Sequence, residues 1–192
     1  MADKYLNYKQ LSSEMIEGSD YKIRPINRNS WITIVAPHGG KIEPGTSELA
    51  EAIAGSSLNF YAFEGCRRSN NRDLHITSHK FDEPRGLKIV SSSNTALGIH
   101  GRRDGDDPLT VYLGGRDRHL IKRLESELNK VGIRTKTIGH PFPAKNKYNI
   151  CNRGLTGRGA QLEIPKTKRD GLRDCPTEFE AFIKAVQKAL CE

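Results

Sequence analysis

No stretch of the 192-residue chain is an apolar run of the about 20 residues that a membrane-spanning helix requires. The start of the chain is equally short of signal-peptide features: Met1 to Tyr21 carries Asp3, Lys4, Glu14, Glu17 and Asp20, with neither a basic head nor an apolar stretch. We therefore expect cytoplasmic synthesis without Sec export, with any release from the cell left to lysis. Cysteine is sparse. Cys66, Cys151, Cys175 and Cys191 are far apart and form no C-x-x-C pair, which excludes a disulfide scaffold and a thiolate zinc knuckle. Internal repeats, low-complexity tracts and interdomain linkers are all missing, so the expectation is one domain over residues 1–192, a length that buries a core without staples.

Positive charge is in excess. Thirty-one Lys and Arg against 23 Asp and Glu give a formal net charge of +8, which favours a polyanionic partner through the summed surface field. The basic residues are scattered, and no RNP-type aromatic motif or helix-turn-helix accompanies them, which weighs against nucleic acid. A polycarboxylate satisfies the same field.

The β-branched run Trp31 to Ala36 predicts a buried strand that ends at the loop Pro37 to Gly40. Thr46 to Ala54 predicts a helix with Thr46 as N-cap and Gly55 as its stop. Further strands are expected at Leu58 to Phe63, Leu74 to Thr77, Thr95 to Ile99, Leu109 to Leu113, Ile133 to Ile138 and Ala160 to Ile164, the last stopped by Pro165. Helical spacing marks Asp117 to Val131 and a closing helix around Phe179, Phe182, Ile183, Val186 and Leu190. The fold class that follows is α/β, an open mixed sheet flanked by helices. Open sheets of this kind place ligands at strand C-termini.

Two of the six histidines stand where an apolar strand meets glycine, His38 and His100, and Glu43 follows His38 by five residues. A hydrolytic zinc site needs three such ligands, an open position for water and a nearby carboxylate base. Each residue also has an ordinary reading: a loop histidine bonded to backbone, a helix-start acid favoured by the dipole, a strand-end histidine beside Gly101. Glu163 alternates with Leu162 and Ile164, so it is a buried acid if its strand is central and an outward charge if its strand is at the edge. His75 alternates with Leu74 and Ile76 and can face the same cleft, whereas His79, His119 and His140 receive no role.

Six ordered segments decide between these readings: Pro37 to Glu48 (PHGGKIEPGTSE), Leu74 to Ser78 (LHITS) with Phe81 to Pro84 (FDEP), Ile99 to Gly101 (IHG), Val111 to Gly115 (VYLGG), Asn149 to Gly154 (NICNRG) and Gly159 to Glu163 (GAQLE). Each is weak alone, but in this order they resemble the phage and bacillar poly-γ-glutamate hydrolase family, which is related to the zinc carboxypeptidases. The resemblance implies a zinc carboxypeptidase-like core, zinc ligands at His38, Glu43 and His100, and a catalytic glutamate at Glu163. Glu64, at another strand end, is the reserve for the carboxylate ligand. The implied reaction is metal-assisted hydrolysis of γ-glutamyl amide bonds. Arg153 is expected to steady the oxyanion, and Arg67, Arg68, Arg102, Arg116, His75 and Asn152 to contact the substrate. The implied partners are poly-γ-glutamate or γ-glutamyl oligomers, met by a monomer. Two alternatives remain open at this point: a small-molecule N-acyl amino acid amidohydrolase, and a basic nucleic-acid-binding phage protein.

Overall fold

In a computed structural model that describes residues 3–191, seven strands form one sheet: β1 (Tyr21–Ile26), β2 (Ile32–Gly40), β3 (Asn59–Gly65), β4 (Thr95–Arg102), β5 (Val111–Gly115), β6 (Thr135–Lys136) and β7 (Ala160–Pro165). Their spatial order is β1-β3-β2-β4-β7-β5-β6. The centre, β3-β2-β4-β7, is parallel, while β1 joins β3 and β5 joins β7 antiparallel. The expected open mixed sheet is therefore present.

Alternation along the strands sorts side chains onto two faces. On one, Ile34, Ala36, Leu97, Ile99, Leu162 and Ile164 pack beneath the helices α2 (Thr46–Ala54), α4 (Arg118–Lys130), α5 (Lys166–Asp174) and α6 (Pro176–Cys191). On the other, Val35, Tyr61, Phe63 and Ala96 pack under Leu11 of α1 (Tyr8–Glu14), Ile89 and Val90 of α3 (Pro84–Ser91), and Leu74, Ile76 and Phe81. No described helix is long and apolar enough to cross a membrane.

Several local expectations change. β2 does not stop at Pro37 but continues to Gly40, with its register against β3 shifting between Ala36 and Gly39. That irregularity re-aims the backbone at His38. Gly45, not Thr46, caps α2, because its φ of 94° lies in the left-handed region, and the Thr46 hydroxyl instead donates to the Glu43 carbonyl at 2.8 Å. Leu74 to Thr77 is not a strand: a 3-10 turn over Asn71–Leu74 leads into irregular chain, and Leu74 and Ile76 are buried from a loop rather than from a sheet. Ile133 to Ile138 contributes only the two-residue β6.

The β7 strand lies between β4 and β5, so Glu163 belongs to a central strand and is buried. Its approach to β5 and β4 depends on Gly159, where an added methyl group would stand 1.9 Å from the Cys151 carbonyl oxygen and 2.5 Å from that of Ala96. Backbone cannot yield as a flexible side chain can, so Gly159→Ala should destabilise the protein by about 1–3 kcal/mol or more. Urea unfolding measures this; an unchanged midpoint would show that the strand has room to shift.

Candidate active site

The sheet's geometry brings three segments to one place. β2 carries His38 two residues before its end at Gly40 and then turns back, with the Glu43 amide donating to the His38 carbonyl at 3.0 Å and Gly40 in the left-handed region at φ 59°. This returns Glu43 toward its own strand. On β4, His100 lies opposite Glu163 of β7 in the parallel register and on the same face, so the two side chains are neighbours across the strand pair. The Gly101 amide, next to His100, donates to Glu43 Oε2 at 2.7 Å and locks the returned loop onto β4. The third segment is the irregular chain after Leu74, which lays the His75 ring over His38 with centroids 3.9 Å apart.

The hydrogen bonds orient each ring. His38 Nε2 faces the Ile76 carbonyl at 2.7 Å, an acceptor only, so Nε2 carries the proton and Nδ1 is bare. That bare Nδ1 stands 3.2 Å from His100 Nδ1 and 3.5 Å from Glu43 Oε1, and His100 Nδ1 is 3.9 Å from Glu43 Oε2. Ligand atoms around a tetrahedral zinc with bonds of about 2.0–2.1 Å are separated by about 3.3 Å, so the spacings from His38 Nδ1 suit a metal of that size, with the two imidazoles facing different oxygens of Glu43. A second donor set replaces His100 with His75, whose Nε2 is 3.9 Å from Glu43 Oε1. The His38 and His75 rings are stacked at an interplanar angle of 29°, so their in-plane lone pairs run nearly side by side, whereas His38 and His100 are tilted by 56° and can converge.

Electrostatics divide the two buried carboxyls. Burial pushes Glu43 up, but the facing His38, then His100 and the Gly101 amide, outweigh it and hold it at about 2. For Glu163 the balance is reversed: burial, and secondly the charge of Glu43, outweigh the cationic Arg102, Arg169 and Arg72 and raise it well above the usual carboxylate range. Gln161 Nε2 donates to Glu163 Oε1 at 3.0 Å and fixes its orientation. Burial, with His38 next, lowers both His75 and His100 to about 3, leaving them neutral and able to donate lone pairs at neutral pH.

These groups open into a cleft of about 710 Å³ whose walls include Arg72, Arg103, Lys166 and Arg169. Of the residues singled out in the sequence, His38, Glu43, His75, His100, Arg102 and Glu163 line this cleft. Arg67, Arg68, Arg116, Arg153 and Asn152 do not. Arg67 pairs with Asp20 and Asp73, Arg116 donates to the Gly157 carbonyl, and buried Asn152 donates to the carbonyls of Ala144 and Asn146, all bonds that hold loops. Arg102 is at the cleft, but its two terminal nitrogens donate to four backbone carbonyls, and its guanidinium stacks on Tyr112 at 3.9 Å. Glu64 is held by Arg24 at 3.4 Å and is not among the cleft residues.

Arg169 of α5 is the important residue that spacing did not single out. It is buried, and it donates from Nε to the Pro44 carbonyl at 2.8 Å and from one terminal nitrogen to the carbonyls of Arg102 and Ile164. It thereby ties the Glu43 loop to the ends of β4 and β7. Gly101 makes room for it, since a methyl group there would lie 2.5 Å from the guanidinium carbon.

Titratable groups gathered at the strand ends of an open α/β sheet define a class, α/β proteins whose ligand site is assembled from several strands at once. The chain matches the poly-gamma-glutamate hydrolase family over residues 5–180, and it belongs to that family. Among relatives from Bacillus subtilis strain 168, the SPbeta prophage-derived protein YoqZ is 36% identical over 88% of this chain and YndL is 34% identical over 88%. The matched region spans 61% of YoqZ and 67% of YndL. A solved bacteriophage poly-gamma-glutamate hydrolase superposes with a TM-score of 0.93 at 30% identity, covering 99% of this chain and 97% of that one. A zinc-free structure of YndL gives 0.92 at 29% identity, with 100% and 98% covered. An N-formylglutamate amidohydrolase from Ralstonia eutropha, at 12% identity and a TM-score of 0.57, shares the fold.

The buried neutral imidazoles make acid stability a direct test of the site. Between pH 6.5, the ordinary histidine value, and about 3, the unfolded chain binds protons that His75 and His100 refuse when folded, so stability is lost as pH falls through this window. Glu163 acts in the opposite sense, because its raised value lets the folded state hold a proton that the unfolded carboxyl releases above 4.5. In metal-free protein, His100→Gln should flatten the loss of stability between pH 6.5 and 4.5, and Glu163→Gln should steepen it. Urea midpoints across that range read both slopes; a slope indifferent to His100 would mean that its imidazole is not buried neutral.

Proposed function

We propose that the protein hydrolyses γ-glutamyl amide bonds of poly-γ-glutamate with a zinc ion held by His38, Glu43 and His100 and with Glu163 as general base. The observation that carries this reading is the convergence of two imidazole Nδ1 atoms, that of His38 bare, and a low-pKa carboxylate, spaced 3.2 to 3.9 Å, beside a second carboxyl of opposite titration behaviour. Family membership and the zinc-free structure of YndL support it. Zinc bound there supplies a water of lowered pKa and polarises the scissile carbonyl.

The chain's own residues do the rest. As general base Glu163 must be ionised, which a cation held beside it would favour. It would then accept a proton from water and pass it to the leaving amine, and burial in a central strand gives it the raised proton affinity that this relay uses. Gln161 keeps the carboxyl on the His100 side of the sheet. Arg72, Arg103 and Lys166 make the mouth cationic, which suits a polymer carrying one free carboxylate per residue. Arg169, with three carbonyls already engaged, holds the ligand loop in place.

Two results are expected. Glu163→Gln should retain zinc and substrate binding but lose about 10²-fold or more in kcat with KM little changed. His38→Ala and His100→Ala should lose zinc and activity together. Metal analysis and product sizing on poly-γ-glutamate check both, and normal turnover by folded Glu163→Gln protein would remove Glu163 from the role of base.

A further inference from the structure

The chain ahead of α1 is packed against the loop that carries His75. Asp3 accepts from His75 Nδ1 at 2.7 Å through one carboxylate oxygen and from the Thr77 amide at 2.8 Å through the other. Lys4 meets Asp73 at 3.7 Å, the Tyr5 ring is buried in the second core, and the Tyr8 amide donates to Asp82 at 2.6 Å. Residues 3–8 thus run beside residues 73–82 and fasten to them repeatedly.

Asp3 grips this loop on both sides of Ile76. The Ile76 carbonyl is the acceptor that fixes the His38 ring, and Ser78, two residues on, places its hydroxyl 3.5 Å from His100 Nε2. A carboxylate that accepts from Nδ1 also sets the His75 tautomer, leaving Nε2 bare on the Glu43 side, 3.9 Å from Oε1. One side chain therefore touches a cleft imidazole directly, a second, His38, through the Ile76 carbonyl between its two hydrogen bonds, and a third, His100, through Ser78 just beyond them.

We propose that Asp3 is a positioning residue of this site, acting through His75 and through the Ile76 carbonyl, so that the segment ahead of the first helix is part of the metal centre's outer support. This rests on the proposed function for its consequence, but not for its geometry. Outer carboxylates that hold metal-ligating or neighbouring histidines typically contribute 10–100-fold in metal affinity, about the scale expected here.

The test compares wild-type protein with Asp3→Asn, Asp3→Ala and, as a control in the same segment, Lys4→Ala, whose ion pair is largely exposed. In metal-free protein labelled with ¹⁵N-histidine, wild type should show a protonated, hydrogen-bonded Nδ1 and a bare Nε2 for His75, assigned with His75→Gln. Both Asp3 variants should lose that signature, and Lys4→Ala should keep it. Zinc affinity should fall about 10–100-fold in Asp3→Ala and less in Asp3→Asn, with an altered visible spectrum in the cobalt-loaded protein and a drop in kcat larger than any change in KM. Unchanged histidine signals and zinc affinity within twofold of wild type in both Asp3 variants would overturn the proposal, as would equal losses in Lys4→Ala. If wild type itself takes up no zinc, the proposed function fails, while the histidine spectrum still decides the role of Asp3.

Discussion

His38 Nδ1 and His100 Nδ1 face each other at 3.2 Å in a region from which water is almost excluded, and the rest of the site follows from how that contact can be satisfied. His38 has already given its one proton to the Ile76 carbonyl, so its inward nitrogen offers only a lone pair. His100 can meet it with a proton when the site is empty of cations, or with a second lone pair when a cation lies between them. Glu43, held at about 2, supplies a full negative charge on the third side. A buried carboxylate beside neutral imidazoles is costly unless something cationic compensates it. Arg72, mostly exposed and 3.6 Å from Glu43, does so only in part, which is the physical reason the arrangement favours a metal.

The backbone produces this contact with few residues. β2 and β4 are adjacent parallel strands, so residues near their C-termini lie side by side, and the register irregularity in β2 lets His38 turn inward where strict alternation would not. The return of the chain from Gly40 through Glu43 into α2 uses two backbone conformations that only glycine takes easily, at Gly40 and Gly45. At Gly39 a methyl group would meet the Ser47 hydroxyl at 2.1 Å, so the glycines are needed for space as well as for torsion. Arg169 then closes the assembly from below by joining the Pro44 carbonyl to those of Arg102 and Ile164.

What could be read from the sequence was what depends on local pattern. Apolar runs meeting glycine marked β2 and β4, boundary residues marked α2, and hydrophobic periodicity marked α4 and α6. The burial of Glu163 depended on β7 being central, a long-range fact that no five-residue window contains. Arginines were the hardest group, because an arginine at a surface, in a loop brace or in a cleft has the same local signature. Arg116 and Arg67 brace loops, while Arg72 and Arg169 reach the cleft from a 3-10 turn and from α5. Asp3 was equally illegible, since its two partners are more than seventy residues away and the link exists only once the Leu74 to Thr77 segment is a loop instead of a strand.

The two carboxyls show why a site of this kind is built at the centre of a sheet. Glu43 and Glu163 share one buried space, and if both were ionised their repulsion in low dielectric would be severe. Their surroundings pull them apart: Glu43 faces imidazoles and a backbone amide, whereas Glu163 is met by Gln161 and by the charge of Glu43 itself in a buried position. One is thereby suited to remain an anion and hold a cation, and the other to take and return a proton. The division of roles follows from position, because an acid in a returned loop can gather donors from two strands while an acid in mid-strand is limited to its own face. Exchanging the two environments would exchange the two tasks, since the side chains themselves are identical.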